Sequence, residues 1–297
     1  MNFNPTRFKT LVLREWLQNR WTWLIAVCAL PLITLLTMPF GTVDIGSRDH
    51  ELPATQLVLL AWALTGLVCA IMAWLTTLFS AAGLARRDSQ DRSIEFWLSL
   101  PSTHGEHFAA QYLSHAFLFP VGALVAGLLL GLPLALVVVL KVLGASGMAA
   151  VQWMSVAAGL AAGLPAALLA LLAAAVWLAP MLLLIMAASA WLKRLGIPAL
   201  VVAAIALYNL SPTRDGFRPL WHAYGKGVEQ IVQGAISVFL GASMPKLAVD
   251  GETLAGTGLA QFLANLGAQF STPLFGLCML LSGLSLWALV ERRRRAL

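Results

Sequence analysis

The sequence Gly144-Ala145-Ser146-Gly147 places a serine among small residues, a pattern in which a serine hydroxyl can act as a nucleophile. Such a serine needs a general base, usually a histidine, to take its proton. The only histidine after Ser146 is His222, which lies in a segment with no apolar span around it. Four small residues also recur easily by chance in a chain with 24 glycines. Serine-protease chemistry is therefore an alternative interpretation and not the leading one.

The sequence has no phosphate-binding loop of the kind that ATPases use. Such a loop has a glycine, four further residues and then Gly-Lys-Ser/Thr, so that backbone amides surround the phosphate. The pair Gly225-Lys226 is followed by Gly227 and has Leu220 in place of the first glycine. The three cysteines all lie in apolar runs, which argues against a disulfide framework or a thiolate metal site. We expect no metal or cofactor on this chain and no catalytic residue in it.

Composition indicates an integral membrane protein. Of the 297 residues, 60% are apolar and 11% are charged, whereas soluble domains are about a quarter charged. Between Glu106 and Lys141 there are 34 residues without a charge, and between Lys141 and Lys193 there are 51. Because a crossing needs about 20 apolar residues, these runs predict an all-α membrane protein and exclude a soluble enzyme. The predicted six transmembrane helices are at about 21–40, 56–80, 108–131, 157–191, 196–210 and 273–290.

The predicted spans contain no Asp, Glu, Lys or Arg. Transporters driven by an ion gradient usually carry an ionisable residue at membrane depth. His115, near the start of the third span, is the only histidine that falls within one. The lack of charge in the spans therefore argues against an ATP-independent secondary transporter. This interpretation is an alternative and not the leading one.

The distribution of Lys and Arg predicts cytoplasmic N and C termini. One set of loops and ends contains 13 of the 19 basic residues and the other contains six, and the richer set is expected inside. This orientation makes 1–20 an N-terminal interfacial helix, 81–107 a cytoplasmic loop and 211–272 an external segment. The external segment has two amphipathic helical patterns, which could lie on the outer leaflet, cap the spans or form a gate. The net charge of +6 reflects this asymmetry and does not indicate nucleic acid. The apolar face of the interfacial helix consists of Phe8, Leu11, Val12 and Trp16.

Two glycines of the third span, Gly127 and Gly131, are four residues apart. Glycines at this spacing lie on one face of a helix and let a neighbouring helix backbone approach closely. The pattern predicts close helix packing and carries no information about function.

The cytoplasmic loop contains a short amphipathic helix with more apolar side chains than a free loop would expose. Ser93 can cap this helix beside Glu95, and Pro101 ends it. Its apolar residues must be buried against the inner leaflet, against neighbouring spans or in a soluble partner. Aromatic anchors with a charged rim are typical of a partner-binding surface. The candidate docking residues are Asp91, Arg92, Ser93, Ile94, Glu95, Phe96, Trp97, Leu98, Leu100 and Pro101.

The string from Asp91 to Ser102 resembles the coupling-helix region of ABC-2-type ABC transporter permeases. The similar stretch covers about thirty residues, 85–115, and lies between the second and third spans, where that family has it. The resemblance implies that residues 1–297 form a single permease domain whose loop inserts into a separate ATP-binding subunit. It also implies two copies of that subunit, with ATP and Mg on them, and a second permease subunit in a homodimer or heterodimer. The expected function is export across the bacterial cytoplasmic (inner) membrane, with this chain as the transport subunit and not the enzyme.

Two further interpretations stay open. The string Gly144–Gly147 is similar to the Gly-x-Ser-Gly string of rhomboid proteases, which also have six spans. A purely structural or regulatory membrane subunit is compatible with the same docking loop. Co-purification with an ATPase would separate a permease from a transporter that works alone.

Overall fold

The structure of the chain is a computed structural model that describes residues 5–41, 53–87, 104–210, 213–241, 247–249, 252–254 and 259–295. In these residues the chain is α-helical apart from short 3₁₀ and π segments and one antiparallel strand pair, in which Leu247 is paired with Leu254. The helices are α1 (Pro5–Thr37), α2 (Ala54–Leu84), α3 (His104–Leu113), α4 (Phe119–Ala149), α5 (Trp153–Leu192), α6 (Gly196–Asn209), α7 (Thr213–Gly241), α8 (Leu259–Phe270) and α9 (Pro273–Arg294). The strands are β1 (Leu247–Val249) and β2 (Glu252–Leu254), and the π segment is Ser114–Leu118.

Five helical runs in the described residues are long and apolar enough to cross a membrane. The prediction of a helical, multi-span chain is supported at this level. The predicted fourth and fifth spans fall in one run, because α5, a 3₁₀ turn and α6 follow one another directly. Helix α6 has 14 residues, or about 21 Å at 1.5 Å per residue, less than the hydrocarbon core of about 30 Å. A separate sixth crossing therefore stays a prediction. The five runs are Pro5–Phe40, Ala54–Leu84, His104–Ala149, Trp153–Asn209 and Pro273–Arg294.

The chain folds back at the junction between α5 and α6. Lys193 has a positive φ of 54°, a backbone conformation outside the helical region that ends α5 here. A Cβ on Gly196 would lie 2.7 Å from the Cα of Ser189, so the first residue of α6 rests on the last turns of α5. The absence of a side chain at Gly196 permits this contact.

Helix α1 runs from Pro5 to Thr37 without a break. The predicted interfacial helix and the first predicted span are thus parts of one helix. Its buried side chains recur at multiples of four residues, so that they form one stripe. Of the predicted apolar face, Leu11 is buried, whereas Trp16 is 37% exposed. The buried stripe consists of Leu11, Glu15, Trp23, Val27 and Pro31.

Helices α2 and α4 pack closely through the predicted glycines. A Cβ on Gly127 would lie 2.8 Å from the Cα of Gly66, and one on Gly131 would lie 2.9 Å from the Trp62 ring. The Trp62 indole donates a hydrogen bond of 2.6 Å to the Leu128 carbonyl. The prediction that these glycines permit close helix packing is confirmed, and it makes α2 and α4 a tight pair.

Helices α7 and α8, from the segment predicted to be external, contribute to the core of the bundle. The rings of Tyr224 in α7 and Phe275 in α9 stack on Trp177 of α5 at centroid distances of 6.2 and 5.8 Å. Ile231 of α7 and Phe262 of α8 are almost fully buried in the same cluster. The second half of α7 is therefore part of the helix packing.

Gly227 and Gly225 of α7 offer a matched test of this packing. A Cβ on Gly227 would lie 2.3 Å from the Trp177 ring, whereas one on Gly225 would meet nothing within 4 Å. We expect Gly227→Ala to destabilise the protein by about 1–3 kcal/mol through overpacking. Gly225→Ala should be neutral or stabilise it by up to about 1 kcal/mol, because alanine favours the helix. Thermal unfolding of both variants in the same detergent measures the difference, and equal midpoints would contradict the packing of α7 on α5.

Candidate functional site

The ten candidate docking residues, from Asp91 to Pro101, lie outside the described residues. The structure describes the two places where their loop leaves and rejoins the bundle. Arg87 is the last described residue before the loop, and His104 begins α3 after it. We call Arg87 the first root of the loop and the start of α3 at His104 the second root. The two roots and the side chains that contact them form the candidate site.

A buried carboxylate holds the first root. One guanidinium nitrogen of Arg87, Nη2, donates to both carboxylate oxygens of Glu15, at 2.9 and 3.0 Å. The Glu15 side chain is only 2% exposed and that of Arg87 is 21% exposed. The Nε2 atom of His115 lies 3.4 Å from the second carboxylate oxygen. We call Glu15, Arg87 and His115 the acid–base cluster; such a buried charge is stable only with partners of this kind.

The π segment Ser114–Leu118 positions His115 in this cluster. A π turn has one residue more than an α turn, which changes how the helix carbonyls are paired, and such turns are frequent at functional sites. Here the His115 carbonyl accepts a hydrogen bond of 2.9 Å from Thr77, and the Ala116 carbonyl accepts one of 3.0 Å from the Trp74 indole. Both donors belong to α2. The π segment is therefore fixed to α2, with the His115 ring directed at Glu15.

A small cavity of about 30 Å³ adjoins the cluster at His115. A volume of this size can contain a water molecule, which needs about 10–15 Å³ and several polar partners. Hydroxyl and amide side chains from α1 and α2 supply such partners. The Glu15 carboxylate, the His115 imidazole and these hydroxyl and amide groups thus bring several polar side chains together at this end of the bundle. The lining residues are Asn19, Thr22, Trp23, Ala73, Thr76, Thr77, Ser80, His115 and Phe119.

Helix α3 holds the second root against α2 and α9. The Gln111 amide donates a hydrogen bond of 3.4 Å to the Leu84 carbonyl. The Arg293 guanidinium of α9 lies 5.7 Å from the centre of the Phe108 ring. Leu84, Phe108 and Leu289 belong to one buried cluster. The loop therefore leaves and rejoins the bundle at one end, which also carries the arginines of α9 and which we call the basic end.

Sequence reasoning missed the acid–base cluster. The first predicted span begins at residue 21, whereas the helical run Pro5–Phe40 begins earlier and includes Glu15. The predicted span itself, 21–40, contains no charged residue, so Glu15 lies in the part of the run before it. The available signal is that Glu15 follows Leu11 by four residues and precedes Trp23 by eight, so that all three lie on one face of a continuous helix.

The structure gives no support to a serine nucleophile. The Ser146 hydroxyl donates a hydrogen bond of 3.3 Å to the Leu143 carbonyl, and no histidine of the described residues is bonded to it. The His115 ring contacts Glu15, and the His222 ring lies 6.5 Å from that of Tyr208. The described residues also contain no group of three or more His, Cys, Asp or Glu that could hold a metal ion.

Comparison with known proteins does not identify a family. No family model, no curated protein and no solved structure matches the chain. The resemblance of residues 85–115 to ABC-2-type permeases therefore stays a prediction from the sequence.

The acid–base cluster predicts a large cost for removing its carboxylate. Glu15→Ala leaves Arg87 and His115 without their anion, and we expect a loss of about 3–5 kcal/mol in the free energy of unfolding. The matched control is Glu291→Ala, which removes the more exposed pair between Glu291 and Arg295 and should cost about 0–1 kcal/mol. Denaturant unfolding of both variants provides the measurement. Similar losses would contradict the burial of the Glu15 pair.

Replacing both Glu15 and Arg87 tests whether the stability depends on their charges or on their shapes. Glu15→Leu combined with Arg87→Met keeps the side-chain volumes and removes both buried charges. Because apolar residues of similar volume often replace a buried ion pair without loss, we expect the double variant to recover most of the stability that Glu15→Leu alone loses. If the double variant is as unstable as the sum of the two single variants, the two side chains do not interact as described.

Proposed function

We propose that the chain is the membrane-spanning permease subunit of an ATP-driven transporter that exports its substrate across the bacterial cytoplasmic membrane. A separate ATP-binding subunit docks on residues 91–101, and a second permease subunit completes the path. The resemblance of residues 85–115 to the coupling-helix region supports the proposal. The lack of a phosphate-binding loop in the sequence is in line with ATP hydrolysis on a partner chain.

The observation that carries the proposal is the attachment of both loop roots to the same end of the bundle. The Arg87 root is bound to Glu15 of α1, and the α3 root is bound to Leu84 of α2 and packed against Arg293 of α9. A force applied to the loop would therefore act on α1, α2, α3 and α9 together. This is the property required of a segment that receives motion from a motor subunit.

The tight pair of α2 and α4 provides a route for that motion. The π segment joins α3 to α4 and is hydrogen-bonded to Thr77 and Trp74 of α2. Farther along the pair, Gly127 and Gly131 bring the two backbones into contact. Closure of the ATP-binding subunits would thus move α2 and α4 as one body against α5 and α7.

The test is a triple variant of the loop, Glu95→Arg with Phe96→Ala and Trp97→Ala. We expect it to lose co-purification with a co-expressed ATP-binding subunit and to lose stimulation of that subunit's ATPase activity. Removing central aromatic anchors typically costs about 2–4 kcal/mol of binding each. The matched control is Phe79→Ala with Trp287→Ala, two aromatic residues that are exposed on the bundle surface. The control should bind as the unchanged chain does.

Two results would count against docking at this loop. One is a triple variant that is folded, binds the ATPase and stimulates it normally. The other is equal loss of binding in the triple variant and the control. Size-exclusion profiles and thermal unfolding of each variant report whether the chain is folded, so that loss of binding is not confused with misfolding.

One observation favours a second candidate, a transporter that works without ATP. Glu15 and His115 are buried ionisable groups, and His115 lines a small cavity together with several hydroxyl and amide side chains. Buried ionisable groups mark proton or ion pathways in membrane proteins. The direct pairing of Glu15 with Arg87 also suits a purely structural role. Transport by the purified chain in liposomes without any ATPase would favour this candidate over the first.

A further inference from the structure

A cavity of about 100 Å³ lies between α2, α4, α5 and α7. We propose that it is a binding site for an alkyl or acyl chain, supplied either by a membrane lipid or by a free apolar compound. Its walls consist of Leu, Ala, Val, Ile and Trp side chains only. Those that carry the argument are Leu67, Trp74, Leu124, Leu171, Val232 and Ile236.

The walls of this cavity offer no side-chain hydrogen bond to a ligand. Trp74 supplies the one polar side-chain atom among the lining residues, its indole nitrogen, and this donates to the Ala116 carbonyl at 3.0 Å. A polar group placed in such a site would lose its hydrogen bonds with water and gain none in return. The chemistry therefore selects a hydrocarbon.

The size of the cavity also suits a hydrocarbon. An engineered apolar cavity of about 150 Å³ in another protein stays dry and binds benzene. The cavity here is somewhat smaller, so it can enclose a short stretch of an alkyl chain or one small ring.

The cavity is accessible from the side of the bundle. Leu64 of α2 lines it and is 53% exposed, so the cavity reaches the outer surface there. Apolar side chains on an outer face such as Leu64 contact acyl chains when the helices span a membrane. A hydrocarbon can thus enter from the bilayer without passing through water.

Helix α7 closes the cavity with its apolar face. Val232, Ala235 and Ile236 line the cavity, while Glu229 and Gln233, on another face, form an exposed hydrogen bond with each other at 2.9 Å. This division explains why α7 is amphipathic although its second half is packed in the bundle. The binding site does not depend on an ATP-binding subunit, so it stands or fails separately from the proposed function.

Photolabelling with alkyl diazirines tests the site in nanodiscs containing the full chain. One arm uses phosphatidylcholine with a diazirine in its acyl chain, and the other uses an alkyl diazirine without a head group. Mass spectrometry then identifies the labelled residues. We expect label on the buried lining residues Leu124 and Leu171 in at least one arm, and the arm that labels them identifies the source of the hydrocarbon.

A variant with a filled cavity tests whether labelling depends on the cavity. Ala167→Leu with Ala235→Leu adds two side chains to its walls, and we expect labelling of Leu124 and Leu171 to fall by roughly tenfold because several methylene groups of the probe no longer fit. The matched control, Ala203→Leu with Ala264→Leu, adds the same groups at two exposed positions and should leave labelling unchanged.

The proposal is overturned if both probes label only surface residues such as Leu64 in the unchanged chain. It is overturned as well if the filled variant, folded by thermal unfolding, is labelled at Leu124 and Leu171 as strongly as the control. Because the first criterion uses the unchanged chain, the test remains decisive even if the filled variant does not fold.

Discussion

The burial of the Glu15 carboxylate is the constraint on which the basic end of the bundle depends. A carboxylate that is 2% exposed must be compensated by cations or hydrogen-bond donors, or else it destabilises the fold. Arg87 and His115 supply that compensation from two other parts of the chain. Since these residues come from α1, the turn that follows α2 and the π segment, one carboxylate sets the relative positions of three parts of the chain. The root of the loop is positioned as a consequence.

Tryptophan indoles provide similar links elsewhere in the bundle. An indole N–H inside a hydrocarbon environment has no water to bond and must find an acceptor in the protein. Helix carbonyls can accept a second hydrogen bond because each oxygen has two lone pairs. In the part of the chain that the structure describes, five indoles donate to carbonyls of other helical segments at 2.6–3.2 Å, so these residues join helices as well as filling space. They are Trp23, Trp62, Trp74, Trp177 and Trp191.

The sequence was sufficient for features that depend on local pattern. Long uncharged runs predicted the apolar helices, and the spacing of Gly127 and Gly131 predicted close packing, because both are properties of one helix. The acid–base cluster could not be predicted in this way, since Glu15 and His115 are 100 residues apart. The packing partner of α7 could not be predicted from the sequence either. An amphipathic pattern shows that one face of a helix is apolar, but not whether that face contacts lipid or Trp177.

Trp74 connects the two sites. Its indole nitrogen holds the Ala116 carbonyl of the π segment, which also carries His115, while its ring forms part of the wall of the apolar cavity. A shift of the π segment along α2 would therefore have to break this hydrogen bond or move the ring. Movement of the ring alters the shape of the cavity, because the ring is part of its wall. The loop roots and the hydrocarbon site are thus joined through one side chain, and we expect a displacement at the basic end to change how well the cavity accommodates a hydrocarbon.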